Sequence, residues 1–217
     1  MGIQERRERE RERRRQAILV AARRVLGSKG FEKATVEDIA REAELSPGTL
    51  YLYFKNKDDM CAALSLRVLQ FMNVKLDHAL SAPDQPLGDK LDAVRRAMLE
   101  VYAHDPLILN NLFHLQSSDT LANLSAELMG EINALSRRAL RSVAAMFADE
   151  MRKGTIREGN PTILADMVWS LFSGIVLWEE SKRMINPDRY QLETSIATAF
   201  DLMRRGLEVT PAAASAG

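Results

Sequence analysis

The chain is 217 residues long, 46% apolar and formally neutral, with 30 basic and 30 acidic side chains. That length supports one large domain, or a small one beside a larger one, and buries enough core to fold without disulfides or metal staples. Its one cysteine, Cys61, excludes an intramolecular disulfide and is expected to be a small buried residue of a cytoplasmic protein.

The N-terminus is densely charged where a secretory signal would be apolar, so no targeting segment is expected. No uninterrupted apolar run approaches the roughly 20 residues of a membrane helix. The longest, Met167 to Trp178, is broken by Ser170, Ser173 and Gly174, so no membrane association is expected. Neutrality conceals a polarity. Residues 1–57 carry 14 Lys and Arg against nine Asp and Glu, a surplus that the remaining residues cancel. Such a split fits a basic surface facing phosphates and an acidic body held away from them.

In chain order, residues 1–15 alternate Arg and Glu with almost no apolar partners. They form either a helical extension held by i,i+4 charge pairs or an arm that reaches phosphates. From Gln16 the pattern turns amphipathic: Ile18, Ala22, Val25 and Leu26 share one helical face, and Gly27 and Gly30 are expected to bracket its end. A second helix starts at Thr35, which with Asp38 resembles a capping box; Val36, Ile39, Ala40 and Ala43 mark its buried face. After a short Glu44-Leu45 turn, Ser46 caps a third helix with Pro47 in its first position, running to about Phe54. Asn56 caps a long fourth helix to about Leu80, with Asp58 and Asp59 in its first turn. Further helices are expected at 88–104, 106–117, 121–153, 161–184 and 188–206, separated by Pro- and Gly-containing breaks, and the small polar tail 208–217 is expected to be disordered. The fold class is therefore all-α with about nine helices. The domain reading is a charged arm 1–15, a three-helix unit 16–56 and a larger helical body 57–207.

Residues 35–53 have helix-turn-helix spacing. Ala40 is the small residue where two helices cross, and Ile39, Ala43, Leu45, Leu50 and Phe54 are apolar anchors. Thr49, Tyr51 and Tyr53, beside Ser46 and Gly48, leave a short, hydroxyl-bearing outward face on the third helix.

This stretch resembles the TetR family of bacterial one-component transcriptional regulators. The resemblance rests on Gly30-Phe31, on Thr35-Val36-Glu37-Asp38-Ile39-Ala40 and above all on the run from Ser46 to Lys57, which includes Gly48-Thr49-Leu50-Tyr51 and Tyr53-Phe54-Lys55-Asn56-Lys57. It implies that Thr35 touches a phosphate at a helix N-terminus. It implies that Pro47, Gly48, Thr49 and Leu52 face base edges, and that Tyr51, Tyr53 and Lys57, with Lys55 beside them, hold phosphates. Glu37 falls where an arginine can read a base, and its acidity argues against that contact. No Arg, Asn or Gln stands on the reading face of the third helix, so shape readout gains weight.

The resemblance also implies a homodimer on a palindromic operator and a repressor released by a small-molecule effector, apolar or aromatic. Dimerisation would pair the last two helices with their mates as a four-helix bundle, through Leu171, Gly174, Ile175 and Trp178 on one and Ile196, Ala199, Phe200 and Met203 on the other. The effector would lie among the central helices, beside Tyr102, Phe113, His114, Met146, Phe147, Trp169 and Phe172; ordinary core is the alternative for each of these. No cofactor and no metal are expected. Three dispersed histidines and one cysteine give no zinc spacing, Glu-x-x-His is not paired for a di-metal site, and no phosphate loop, nucleophile elbow or HExxH occurs, so no catalysis is expected either.

Overall fold

The computed structural model describes residues 2–82, 84–116 and 124–209, without the side chains of Ile3 and residues 114–116. Among these residues the chain is all-α, with nine α-helices: α1 Ile3–Lys33, α2 Val36–Glu42, α3 Pro47–Leu50, α4 Lys57–Ala79, α5 Leu87–His104, α6 Pro106–Gln116, α7 Ala126–Arg152, α8 Pro161–Ile185 and α9 Leu192–Leu207. A short 3-10 turn, Pro187–Arg189, takes up the residues expected to open α9. The expected tail from Thr210 lies outside the described residues. Glu208 is ordered, pairing with Ile156 in an isolated antiparallel bridge.

The chain forms two compact units that do not follow a linear boundary at residue 57. Met1–Val68 and Leu107–Asn133 make unit one; Leu69–Pro106 and Ala134–Gly217 make unit two. Thus α4 and α7 each contribute residues to both.

Unit one is built on α1, whose Ile18, Leu19, Ala22 and Leu26 are buried with Ile39 and Ala40 of α2 and Leu50 of α3. Gly27 does not end α1. A glycine costs about 1 kcal/mol inside a helix, and the helix bears that cost up to Gly30, whose left-handed backbone (φ 76°) kinks it. The end of α1 at Lys33 leaves carbonyls without helical partners. The Lys57 ammonium satisfies two of them, donating to Phe31 O at 2.8 Å and Ala34 O at 3.2 Å while lying 4.4 Å from the Phe31 ring centre. Asn56 caps α4 as its sequence foretells, accepting from the Asp59 amide at 2.7 Å.

Unit two packs α5 and α8 against α9. Leu87, Leu91, Val94, Met98 and Val101 of α5 form one buried stripe, Phe172 and Val176 another on α8, and Ile196 and Phe200 a third on α9. Two buried carboxylates tie these helices together. Glu150 of α7 accepts from Lys90 of α5 at 2.7 Å, and both are nearly inaccessible. Glu179 of α8 accepts from the Gln191 amide at 2.8 Å, the Ser195 hydroxyl at 2.7 Å and Lys182 at 2.6 Å, so it caps the start of α9 from inside. Burial pushes each carboxyl up. For Glu179 the Gln191, Lys182 and Ser195 bonds outweigh it, for Glu150 the Lys90 and Thr155 bonds do, and both stay below the usual glutamate range.

By length and composition α8 does pass for a membrane-crossing helix, which corrects the sequence expectation. Counting unbroken apolar runs misses this, because Ser170, Ser173 and Gly174 interrupt the run without making the helix polar. In unit two one face of α8 is buried and holds the ion-paired Glu179, while Ile163, Met167 and Trp178 remain exposed.

Candidate nucleic-acid interface

The helix-turn-helix is assembled from local bonds. Thr35 Oγ1 accepts from the Asp38 amide at 3.1 Å and Asp38 Oδ2 accepts from the Thr35 amide at 3.2 Å, a reciprocal capping box that starts α2. Lys29 reaches Asp38 at 2.6 Å, and that bond holds the carboxyl below the ordinary aspartate range. After α2 the chain reverses through Glu44, which takes a left-handed backbone (φ 56°), strained for a residue other than glycine. The Leu45 amide donates back to Ala40 O at 2.9 Å and closes the turn. Ser46 then caps α3 by accepting from the Thr49 amide at 3.1 Å, its hydroxyl 2.9 Å from that of Thr49. Helix α3 is one turn long. Beyond Leu50 the chain continues in turns to Phe54, with Leu52 N bonded to Thr49 O and Tyr53 N to Leu50 O.

Leu50 and Phe54 are buried and fix the rotation of this segment. That rotation exposes Ser46, Pro47 and Gly48, leaves Thr49 half-exposed, and turns Tyr51 (51% exposed) and Leu52 (73%) to solvent. A Cβ added at Gly48 would meet nothing closer than Ser46 Oγ at 3.9 Å, so its open side is available to a groove edge. Thr35 and Lys55 are also exposed.

Two expected phosphate ligands are placed otherwise. Lys57 is held at the end of α1, where its ammonium donates to the carbonyls of Phe31 and Ala34. Tyr53 is half-buried and lines a cleft of about 530 Å³ in unit one, together with Glu12 and Arg15 of α1 and Glu127 and Glu131 of α7. One residue away from Leu52 in sequence is enough to turn it off the outward face. Asp59, which the sequence marks only as a first-turn acid, is buried; it accepts from the Lys55 amide at 3.3 Å and the Ser125 amide at 3.0 Å, bracing the segment after Phe54. Two consecutive aspartates behind Asn56 are its only sequence signal.

The other expected sites fall as follows. Of the effector candidates in unit two, Phe147 and Phe172 are fully buried, Tyr102 and Met146 nearly so, and Trp169 half-buried. The Tyr102 hydroxyl donates to Glu180, and its burial first, then that bond, push its pKa well above the ordinary tyrosine value. Phe113 is buried in unit one, and the His114 side chain lies outside the described residues. Of the dimer candidates, Gly174 and Trp178 are exposed and Leu171, Ile175, Ala199 and Met203 half-buried. Ile196 and Phe200 cannot face a partner. They are spent inside the protomer, because the wide apolar face of α9 serves the core first. In their place α9 exposes Leu202 and Gly206, and the end of α8 exposes Met184 and Ile185, none of which the helical pattern singles out.

A capped two-helix corner that turns small, hydroxyl-bearing and apolar side chains outward is the reading head of a DNA-binding regulator. Residues 18–64 match the model of the bacterial regulatory proteins of the tetR family. The fatty acid metabolism regulator protein of Bacillus subtilis is 24% identical over 194 residues, covering 88% of this chain and 93% of that protein. Among solved structures, the regulator PfmR of Thermus thermophilus superposes with a TM-score of 0.68 at 23% identity, covering 88% of this chain and 99% of that one. The regulator FadR of Bacillus subtilis, solved with stearoyl-CoA, superposes with a TM-score of 0.63 at 23% identity, covering 88% and 98%. Residues 18–64 therefore carry the DNA-binding region of the tetR-family regulators, and the chain as a whole shares their fold.

Proposed function

We propose that the protein is a dimeric repressor that holds a palindromic operator through α3 and leaves it when an apolar small molecule binds the helical body. The observation that carries this reading is the outward set Ser46, Pro47, Gly48, Thr49, Tyr51 and Leu52 on a segment anchored by buried Leu50 and Phe54. In this reading Leu52 and the Thr49 methyl meet thymine methyls, Gly48 admits the groove edge, and Tyr51, Thr35 and Lys55 hold phosphates.

One protomer reads too few base pairs for a unique site, and a two-fold dimer doubles the site with half-sites one duplex turn apart. The dimer surface is the exposed row on α8 (Met167, Gly174, Trp178, with half-buried Leu171 and Ile175) beside Leu202, Gly206 and Met203 of α9. Large apolar side chains left in water around small ones suit helix pairing. Seated across a promoter, such a dimer excludes polymerase. The effector lies in unit two beside Tyr102, Met146, Phe147, Trp169 and Phe172. Because a relative of matching length is a fatty acid metabolism regulator of Bacillus subtilis, and FadR of that organism was solved with stearoyl-CoA, a long-chain acyl thioester is the first class to try. Release requires that the ligand prefer the body conformation in which the two heads are mis-spaced.

The test is operator affinity, measured on duplex DNA from upstream of the protein's own gene, with and without stearoyl-CoA. Tight binding that weakens with the ligand supports the whole reading. Binding that ignores every acyl thioester removes that effector class, and binding no tighter than to random duplex removes the assignment of α3.

A further inference from the structure

We propose that the N-terminal stretch of α1 is a second DNA-binding element, in which Arg6, Arg9 and Arg13, flanked by Arg7 and Arg14, hold phosphates beyond those held around α3. This rests on the reading that unit one engages duplex DNA, and it adds a contact surface outside the family-matched segment, which begins at residue 18.

The charges of this stretch look alternating in sequence but are sorted on the helix. At about 100° per residue, Glu5, Glu8 and Glu12 (i, i+3, i+7) form one row that runs on into buried Leu19 and Leu26. Arg11 belongs to the row of buried Ile18 and Val25. Glu8, Arg11, Glu12 and Arg15 line the open cleft whose other wall includes Tyr53, Glu127 and Glu131, the first three still exposed and Arg15 half-buried. Arg15 also lies 5.1 Å from the Phe54 ring centre. The inner arginines thus sit among acids.

The opposite side is different. Arg6, Arg9 and Arg13 (i, i+3, i+7) make an exposed row that continues through exposed Ala17, Val20 and Arg24, and the adjoining Arg7 and Arg14 are exposed as well. Arg9 lies at the edge of the row, donating to Glu5 O at 3.3 Å and lining a shallow pocket with Glu5, Glu8 and Glu12, while Glu10 is bonded to Arg14 at 3.4 Å across a solvent-exposed pair of little energetic weight. Three of the four acids of this stretch lie on the cleft side and five of its seven arginines on or beside the opposite row, a bias that a helix held together only by its own charge pairs does not require.

Position completes the argument. Within unit one the arm begins at Arg15 beside Phe54, two residues after Leu52, so it starts next to the reading segment. From Arg15 to Arg6 the helix advances about 13 Å, comparable to two phosphate spacings along one strand. Guanidinium groups at that reach suit a phosphate backbone and read no sequence.

The experiment measures binding by fluorescence anisotropy between about 50 and 200 mM salt, on the upstream duplex and on a random-sequence duplex of equal length. The variant Arg6→Gln, Arg9→Gln and Arg13→Gln keeps helix-forming side chains. The slope of log K against log salt should become shallower by about 2.7 for each bound protomer, 0.9 per phosphate, while the preference for the upstream duplex stays unchanged. The control Arg137→Gln, Arg141→Gln and Arg157→Gln removes equal charge from exposed positions of unit two and should leave the slope alone. An unchanged slope in the arm variant, or an equal loss in both, overturns the proposal. The pair Tyr51→Ala and Leu52→Ala separates it from the reading of α3: if that pair leaves the preference for the upstream duplex intact, the α3 assignment fails, and the arm is still judged by its own slope.

Discussion

Two regions of this protein leave large side chains in water, and they do so with opposite chemistry. Around α3 the exposed set is small and mixed: Leu52 and Tyr51 stand among the hydroxyls of Ser46 and Thr49 and the bare backbone of Gly48. Along α8 and α9 the exposed set is broad and apolar, with Trp178 65%, Leu202 64% and Met184 88% accessible. A nucleic-acid groove offers methyls, hydrogen-bonding edges and phosphates, so a reading surface is polar with a few apolar points. A second copy of the same helix pair, in the proposed dimer, would offer matching apolar surface at the centre of that face. Exposure alone does not name a partner; the company the exposed side chain keeps does.

The largest break in this contrast is to make the apolar face polar. If the proposed dimer forms through this face, the parent protein should sediment as a dimer and Trp178→Asp with Leu202→Asp as a monomer in analytical ultracentrifugation. Operator affinity should fall by about 10² to 10⁴-fold as the two heads lose their linkage. A dimer that persists moves the interface elsewhere.

The second effect lies in the body. Lys90→Met removes the cation hydrogen-bonded to buried Glu150, leaving Lys153 at 3.7 Å, and should cost up to about 3–5 kcal/mol in denaturant unfolding. The same site sets a pH dependence. Glu150 and Glu179 are held below their unfolded values, so their contribution is complete above about pH 4.3 and is lost as the pH falls below that through the depressed folded values. Unfolding midpoints measured across that window should drop more steeply in the parent protein than in Glu179→Gln, whose stability is lower at neutral pH from the start.

Third, Lys57→Gln should cost about 1.5–3 kcal/mol of stability, the weight of hydrogen bonds to a charged group, and leave the salt dependence of DNA binding unchanged. A shallower slope would return Lys57 to the phosphates. Fourth, Leu52→Ala should weaken operator binding about tenfold and relax base preference at one position of each half-site. Loss that is equal on all duplexes would make it a packing residue. The smallest change, Ser46→Ala, removes the α3 cap and should lower the unfolding free energy by about 1 kcal/mol.

Legibility differed along the chain for physical reasons. The capping box at Thr35, the Ser46-Pro47 start and the Asn56 cap involve partners three or four residues apart, so their spacing announces them. Tyr53 and Lys57 misled because their fates depend on residues far along the chain: Lys57 answers carbonyls of Phe31 and Ala34, and Tyr53 answers a cleft that α1 and α7 build. The α9 pattern showed an apolar face at Ile196, Ala199, Phe200 and Met203 but not which part of it the protomer uses itself. The same limit hid Met184, Ile185 and Leu202.

Periodicity, caps and the run from Ser46 to Lys57 were enough, without coordinates, to establish the all-α class, the approximate helix boundaries and the helix-turn-helix, because those features are written in neighbours along the chain. Packing alone decided that α6 and the first turns of α7 join the N-terminal unit, that Asp59 braces the segment after α3, and that Arg11 and Arg15 of α1 line a cleft with Glu127 and Glu131. Each of these depends on which distant side chains occupy the same space, and a local pattern carries no record of that.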